Sequence, residues 1–104
     1  MKVFQNISAH DAQTLLAAPS TQLVDIRDEF AFRDGHIENA RRIDNSNVGE
    51  FIAIADKTAP LIVCCYHGIS SQSVAQFFIE QGFVEVYSLS GGFEEWKTRF
   101  PYVR

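Results

Sequence analysis

The chain holds only two cysteines among its 104 residues, and they are neighbours, Cys64 and Cys65. Adjacent cysteines rarely pair, because the bridge strains the peptide between them. With no third cysteine present, an oxidised scaffold is excluded. The three histidines, His10, His36 and His67, show neither C-x₂-C nor H-x₃-H spacing, so no zinc site is expected. No apolar run approaches the roughly 20 residues of a membrane helix. The opening Met1-Lys2-Val3-Phe4-Gln5-Asn6 lacks the apolar stretch of a secretory signal. A surplus of positive charge is missing too: nine basic against thirteen acidic side chains leave −4 at pH 7. Phosphate contacts dominate nucleic-acid binding, so that balance argues against such a partner. Internal repeats, low-complexity tracts and linkers are absent as well. What remains is a small soluble domain in a reducing compartment, most simply the cytoplasm.

What is present suffices for a core. Apolar residues make up 46% and charged residues 21%, an ordinary globular balance. Area scaling gives a folded surface of about 5,900 Å² against about 17,000 Å² extended, so about two-thirds can be buried without staples. One domain over residues 1–104 is expected.

The pattern alternates short apolar runs with amphipathic stretches. Ser8 caps a helix with Asp11 in its first turn, Ala12, Leu15 and Leu16 share a face, and Ala18-Pro19 stops it. Leu23 to Arg27 reads as a strand, and Ala40 to Ile43 as a weaker one. Val48, Phe51, Ile52 and Ala55 follow helical spacing. Leu61 to Cys65 is a continuous apolar run after a proline, the pattern of a strand covered on both faces. A helix opens near Ser71, carries Val74, Phe77 and Phe78 as its stripe, and ends at Gly82. Val86 to Leu89 is a last strand, and Phe93, Trp96 and Phe100 mark a last helix. Such alternation predicts an α/β fold, a mostly parallel sheet with helices on both faces.

The chemistry concentrates between Leu61 and Gln81, a strand, a tight turn and a helix. Open α/β sheets bind ligands at the carboxyl ends of their strands, where Cys65 falls. Tyr66-His67-Gly68-Ile69-Ser70 can turn its N–H groups inward, and Gly68 permits a backbone that a side chain obstructs. With the positive end of the next helix this makes an anion cradle. A cysteine facing it ionises more easily than a free thiol, and the thiolate is a nucleophile for covalent catalysis. The plainer reading, a cysteine packed as a small hydrophobe, suits Cys64 inside the apolar run; the nucleophile reading suits Cys65.

Cys65-Tyr66-His67-Gly68-Ile69-Ser70-Ser71 resembles the active-site loop of the rhodaneses, the thiosulfate sulfurtransferases. Val24-Asp25-Ile26-Arg27 with Gly35-His36-Ile37 and Ala40 is similar to the family's N-terminal motif. Leu89-Ser90-Gly91-Gly92-Phe93-Glu94-Glu95-Trp96 with Phe100-Pro101 is similar to its C-terminal one. The three motifs span residues 24 to 101 in order and point to the short, single-domain members. Two positions depart from the pattern. Ser70 stands where many single-domain members carry arginine, so anion binding leans on backbone amides, with His67 able to supply part of the charge. Ala31 stands where a glutamate is common.

The resemblance implies a rhodanese-like sheet of about five strands and a two-step reaction without metal or organic cofactor. Cys65 attacks the outer sulfur of thiosulfate, sulfite leaves, and Cys65 carries a persulfide. Tyr66, His67, Gly68, Ile69, Ser70 and Ser71 would bind substrate and stabilise the charge through inward N–H groups. A thiophilic acceptor (cyanide, a dithiol or thioredoxin) then takes the sulfur. Nothing suggests an extensive apolar interface, so a monomer is expected.

Other polar residues receive structural roles. Asp25 and Arg27 are expected as an ion pair or loop anchor rather than substrate contacts. His36 fixes loop geometry, His10 is solvated, and Trp96 with Phe93 packs the core. A cysteine-dependent phosphatase is a poor reading, because C-x₅-R places its bidentate arginine where this chain has Ser71, and the loop looks one residue short. A non-catalytic binding module is the second reading, since fold alone does not prove activity, but the cysteine is kept.

Overall fold

The computed structural model describes residues 3–104; Met1 and Lys2, which open the N-terminal stretch read above, lie outside the described residues. Along the chain come β1 (Gln5–Ile7), α1 (Ala9–Leu16), β2 (Gln22–Asp25), α2 (Glu29–Asp34), β3 (Arg41–Arg42), α3 (Val48–Ile54), β4 (Leu61–Cys64), α4 (Ser70–Glu80), β5 (Val86–Leu89) and α5 (Gly92–Trp96). The strands form one five-stranded sheet in the order β1-β5-β4-β2-β3, with every pairing parallel. β4 occupies the middle and all four of its residues are buried. A strand covered on both faces has no use for polar alternation, hence its unbroken apolar run.

Successive strand residues point to opposite faces, and this sorts the core into two layers. Leu23, Ile62, Cys64 and Leu89 pack with Ala9 and Ala12 of α1 and Phe93 and Trp96 of α5. Val24, Leu61, Val63 and Val86 pack on the other face with Phe51 of α3, Ala75 and Phe78 of α4, and Phe83. The accessible surface is 5850 Å², close to what area scaling asks of a chain this size. No helix among the described residues is long and apolar enough to cross a membrane.

Several elements differ from the sequence reading, each for a local reason. The strand expected through Arg27 stops at Asp25, because the Asp25 carboxylate captures the Arg27 N–H at 3.0 Å and turns the chain. The strand expected over Ala40–Ile43 shrinks to the two-residue edge strand β3. The edge strand β1 and the short helix α2, which contributes no fully buried residue, are additions. In α4 the buried line is Ser71, Ala75 and Phe78, while Phe77 is exposed. α5 ends at Trp96, and Phe100 packs on the indole from the following segment. Ser8 caps α1 as expected, its hydroxyl accepting the Asp11 N–H at 3.1 Å.

Candidate active site

Cys65 is the first residue past the central strand and continues its alternation. Cys64 belongs to the layer of α1 and α5, so the Cys65 side chain turns to the opposite face, towards α4. There its Sγ accepts the N–H groups of Gly68 at 3.1 Å and Ser71 at 3.3 Å, and lies 3.1 Å from the Ser71 Oγ. The sulfur thus sits at the amino end of the eleven-residue helix α4, where unpaired N–H groups and the helix dipole favour negative charge.

Burial acts to push the Cys65 thiol up, but the hydroxyls of Ser71 and Ser70 and the N–H groups of Ser71 and Gly68 together outweigh it, and its pKa is lowered. Cys64 goes the other way: burial pushes it well above the ordinary thiol value, and the Asp25 carboxylate adds to the effect. Two adjacent thiols are therefore driven apart, one towards the thiolate and one towards inertness.

Two glycines lock the loop around the sulfur. Gly68 has φ +84°, and a Cβ there would lie 2.8 Å from the Gly91 N and 2.9 Å from the Leu89 O. Gly92, at φ +59°, would place a Cβ 2.4 Å from the Tyr66 O and 2.5 Å from the Cys65 O. The Cys65 loop and the β5–α5 turn therefore approach backbone to backbone, which only glycine allows. Across that contact the Phe93 N–H donates to the Cys65 O at 2.8 Å and the Glu94 N–H to the Tyr66 O at 3.1 Å. From α4, the Gln72 amide donates to the Gly68 O at 2.9 Å.

Within residues 66–71 only the Gly68 and Ser71 N–H groups reach the sulfur. Tyr66 swings away to donate its hydroxyl to Asp28, whose other oxygen caps α2 by accepting the Ala31 N–H at 2.9 Å. That bond raises the Tyr66 pKa, with burial second, and lowers that of Asp28. His67 is exposed, and on α5 the Glu94 carboxylate is held below its usual range chiefly by Lys97 at 2.8 Å. Ile69 is 76% exposed and Ser70 is also on the surface. No cluster of three or more His, Cys, Asp or Glu suited to a metal ion occurs among the described residues.

The Asp25–Arg27 pair lies behind the loop. Asp25 is fully buried and Arg27 3% exposed, joined by contacts of 2.7, 3.0 and 3.1 Å. Arg27 also donates to the Gly35 O at 2.7 Å and lies 4.2 Å over the Phe93 ring. Its guanidinium ties β2, α2 and α5 together and is spent on structure. His36 stacks on Phe32 at 3.8 Å and its Nδ1 hydrogen-bonds the Phe32 O at 2.7 Å, which holds the turn after α2. His10 is exposed beside Asp11, and Trp96 is buried with Phe93.

Some participants escaped the sequence reading. Ser88 of β5, fully buried, lies 2.7 Å from the Ser71 hydroxyl. A serine amid Val86, Tyr87 and Leu89 was the available signal. The Asp28–Tyr66 bond spans 38 positions and left none beyond a good helix cap.

A family model described as the rhodanese-like domain matches residues 8–99. The chain belongs to the rhodanese family. Among curated relatives of this rhodanese, thiosulfate sulfurtransferase GlpE of Pseudomonas aeruginosa (strain LESB58) is 54% identical over 98 residues, covering 94% of this chain and 88% of that protein. The protein of the same name from Shewanella oneidensis is 49% identical over 96 residues, covering 92% of this chain and 95% of its own. A solved structure of a rhodanese-related protein from Thermoplasma volcanium superposes with a TM-score of 0.80 at 26% identity, covering 96% and 98% of the two chains. The cradle around Cys65 lies within the residues that the family model matches.

Proposed function

We propose that this rhodanese is a thiosulfate sulfurtransferase of the GlpE type, acting as a single domain through Cys65. The observation that carries the reading is the Cys65 sulfur held by the Gly68 and Ser71 N–H groups at the amino end of α4. Relatives of about half-identical sequence that bear this activity in their names support the choice of substrate.

In the first step the Cys65 thiolate attacks the outer sulfur of thiosulfate. The new S–S bond forms as the old one breaks, and sulfite leaves with the electron pair. The charge then rests on the outer sulfur of a Cys65 persulfide, where the helix dipole of α4 and the loop amides stabilise it. In the second step an acceptor nucleophile takes that outer sulfur and the Cys65 thiolate departs, restored for the next cycle. Cyanide yields thiocyanate; a dithiol such as reduced thioredoxin yields a persulfide that its second thiol resolves to a disulfide, releasing sulfide. No cofactor enters this scheme. We place the protein in the cytoplasm as a monomer, since a reducing compartment keeps Cys65 available.

Purified protein should form thiocyanate from thiosulfate and cyanide, and intact mass after thiosulfate alone should show one added sulfur atom on Cys65. Turnover equal to a heat-killed sample, with the thiol reduced, would promote the binding-module reading. Aryl phosphate hydrolysis should be undetectable, because Ser71 gives the loop a hydroxyl in place of a guanidinium.

A further inference from the structure

Val86 and Ser88 point to the same side of β5 as Val63 of β4, into the layer under α3 and α4. That layer holds Val63, Val86 and other buried apolar residues, and the Ser88 hydroxyl lies 2.7 Å from the Ser71 hydroxyl. Both serines are fully buried, and a buried hydroxyl is unfavourable unless bonded. Ser88 makes no other side-chain hydrogen bond among the described residues, and the second partner of the Ser71 hydroxyl is the Cys65 sulfur at 3.1 Å. The polar residue placed in this core strand thus leads to one destination.

We infer that Ser88 is a positioning residue for the nucleophile: its hydroxyl donates to Ser71, which aims the Ser71 hydroxyl at the Cys65 sulfur. This rests on the reading of Cys65 as nucleophile. The direction follows from counting hydrogens. A thiolate only accepts, so Ser71 must donate to it and Ser88 must donate to Ser71. Both hydroxyl hydrogens then have an acceptor. With a protonated thiol, three hydrogens share two links, and one is left unpaired in a buried site. A donor behind Ser71 also polarises its O–H and strengthens the bond to sulfur. Such a chain favours the thiolate, the state needed at the start of each cycle.

The ionisable residues on the elements around the loop are Cys64 on β4, Asp25 at the end of β2, Arg27 just beyond it, Tyr66 and His67 in the loop, Asp28 before α2 and Glu94 on α5. Near the sulfur, α4 and β5 contribute the uncharged hydroxyls of Ser70, Ser71 and Ser88. A change confined to Ser88 therefore removes no charge.

The test is the pH dependence of Cys65 alkylation by iodoacetamide, followed by peptide mass in parent, Ser88→Ala, Ser71→Ala, the double variant and Ser88→Thr. Ser88→Ala should raise the midpoint by about half a pH unit, roughly a threefold loss of rate well below it. Ser71→Ala should raise it by about 1–2 units. In the Ser71→Ala background, removing Ser88 should add nothing, because its route to the sulfur is gone. Ser88→Thr, which keeps the hydroxyl, should return the parent midpoint. A Ser88→Ala profile superimposable on the parent overturns the inference, as does an equal shift with and without Ser71. Near-UV circular dichroism verifies that each variant holds its fold, and Ser88→Gly, lacking the same hydroxyl, substitutes if Ser88→Ala does not. Failure of the parent Cys65 to react faster than an ordinary thiol would instead overturn the nucleophile reading.

Discussion

Replacing Asp25 by asparagine leaves the shape of the site intact and strands a guanidinium in the interior. Arg27 is 3% exposed and surrounded by protein, so water cannot take over from the lost carboxylate. Breaking one member of a buried pair typically costs about 3–5 kcal/mol, since the remaining charge keeps its desolvation penalty without its partner. Asp25 also accepts the Arg27 N–H at 3.0 Å, a bond the asparagine oxygen can keep, so the loss is chiefly that of charge. For 104 residues the unfolding entropy is roughly 0.2 kcal/mol/K near the melting point, which converts the cost to a fall of about 15–20 °C in Tm. In urea the midpoint should drop by about 2 M. The control is the pair Asp25→Leu with Arg27→Met, which deletes both charges. It should recover roughly 2 kcal/mol relative to Asp25→Asn. It should not reach the parent, because the Gly35 O loses its donor at 2.7 Å and Phe93 its cation. Thermal and urea melts of the parent, Asp25→Asn and the double variant measure all of this. A single variant within about 1 kcal/mol of the parent, or a double no better than the single, would refute the treatment of this pair as a desolvated charge couple.

Three further outcomes are expected. Cys65→Ser should abolish sulfur transfer with little loss of stability, whereas Cys64→Ala should stay active and lose on the order of 1 kcal/mol of packing; paired thiocyanate assays and melts decide, and a folded but inactive Cys64→Ala would reverse the assignment. Gly92→Ala should depress transfer sharply and destabilise by at least about 1 kcal/mol, because its Cβ would lie 2.4 Å from the Tyr66 O at a φ of +59°; wild-type turnover would show that the two turns need no close approach. Asp44, held down to about 2 first by the Ser46 hydroxyl, then by the Ser46 N–H and Arg42, has a folded pKa below its unfolded one. Its contribution is therefore present above the unfolded value near 3.8 and lost as pH falls towards 2. The Tm gap between parent and Asp44→Asn should shrink across that window, and a constant gap would mean Asp44 does not act through its charge.

Much of this protein is legible in one dimension, where local physics and tertiary demand agree. The unbroken Leu61–Cys65 run favours a strand buried on both faces, which the structure ends one residue earlier at Cys64, and Ser8 with Asp11 already marks where α1 begins. The step from Cys65 through Gly68 to the start of α4 marked the loop that surrounds the Cys65 sulfur, because strand end, turn and helix start are contiguous in sequence. Period-two alternation separated Cys64 from Cys65 for the same reason. Edge strand β1 and helix α2 were invisible because neither buries a full face, so neither carries a periodic signal. The stripe of α4 was misjudged at Phe77, since only docking on the sheet decides that the small residues Ser71 and Ala75 face inward. The supports of the site were decided by tertiary structure alone. Gly92 against the Cys65 carbonyl, Asp28 on Tyr66 and Ser88 behind Ser71 join positions 17 to 38 residues apart. Neither helical nor strand periodicity couples residues at such separations; only the parallel sheet, by gathering its strand ends at one edge, brings them within hydrogen-bond reach.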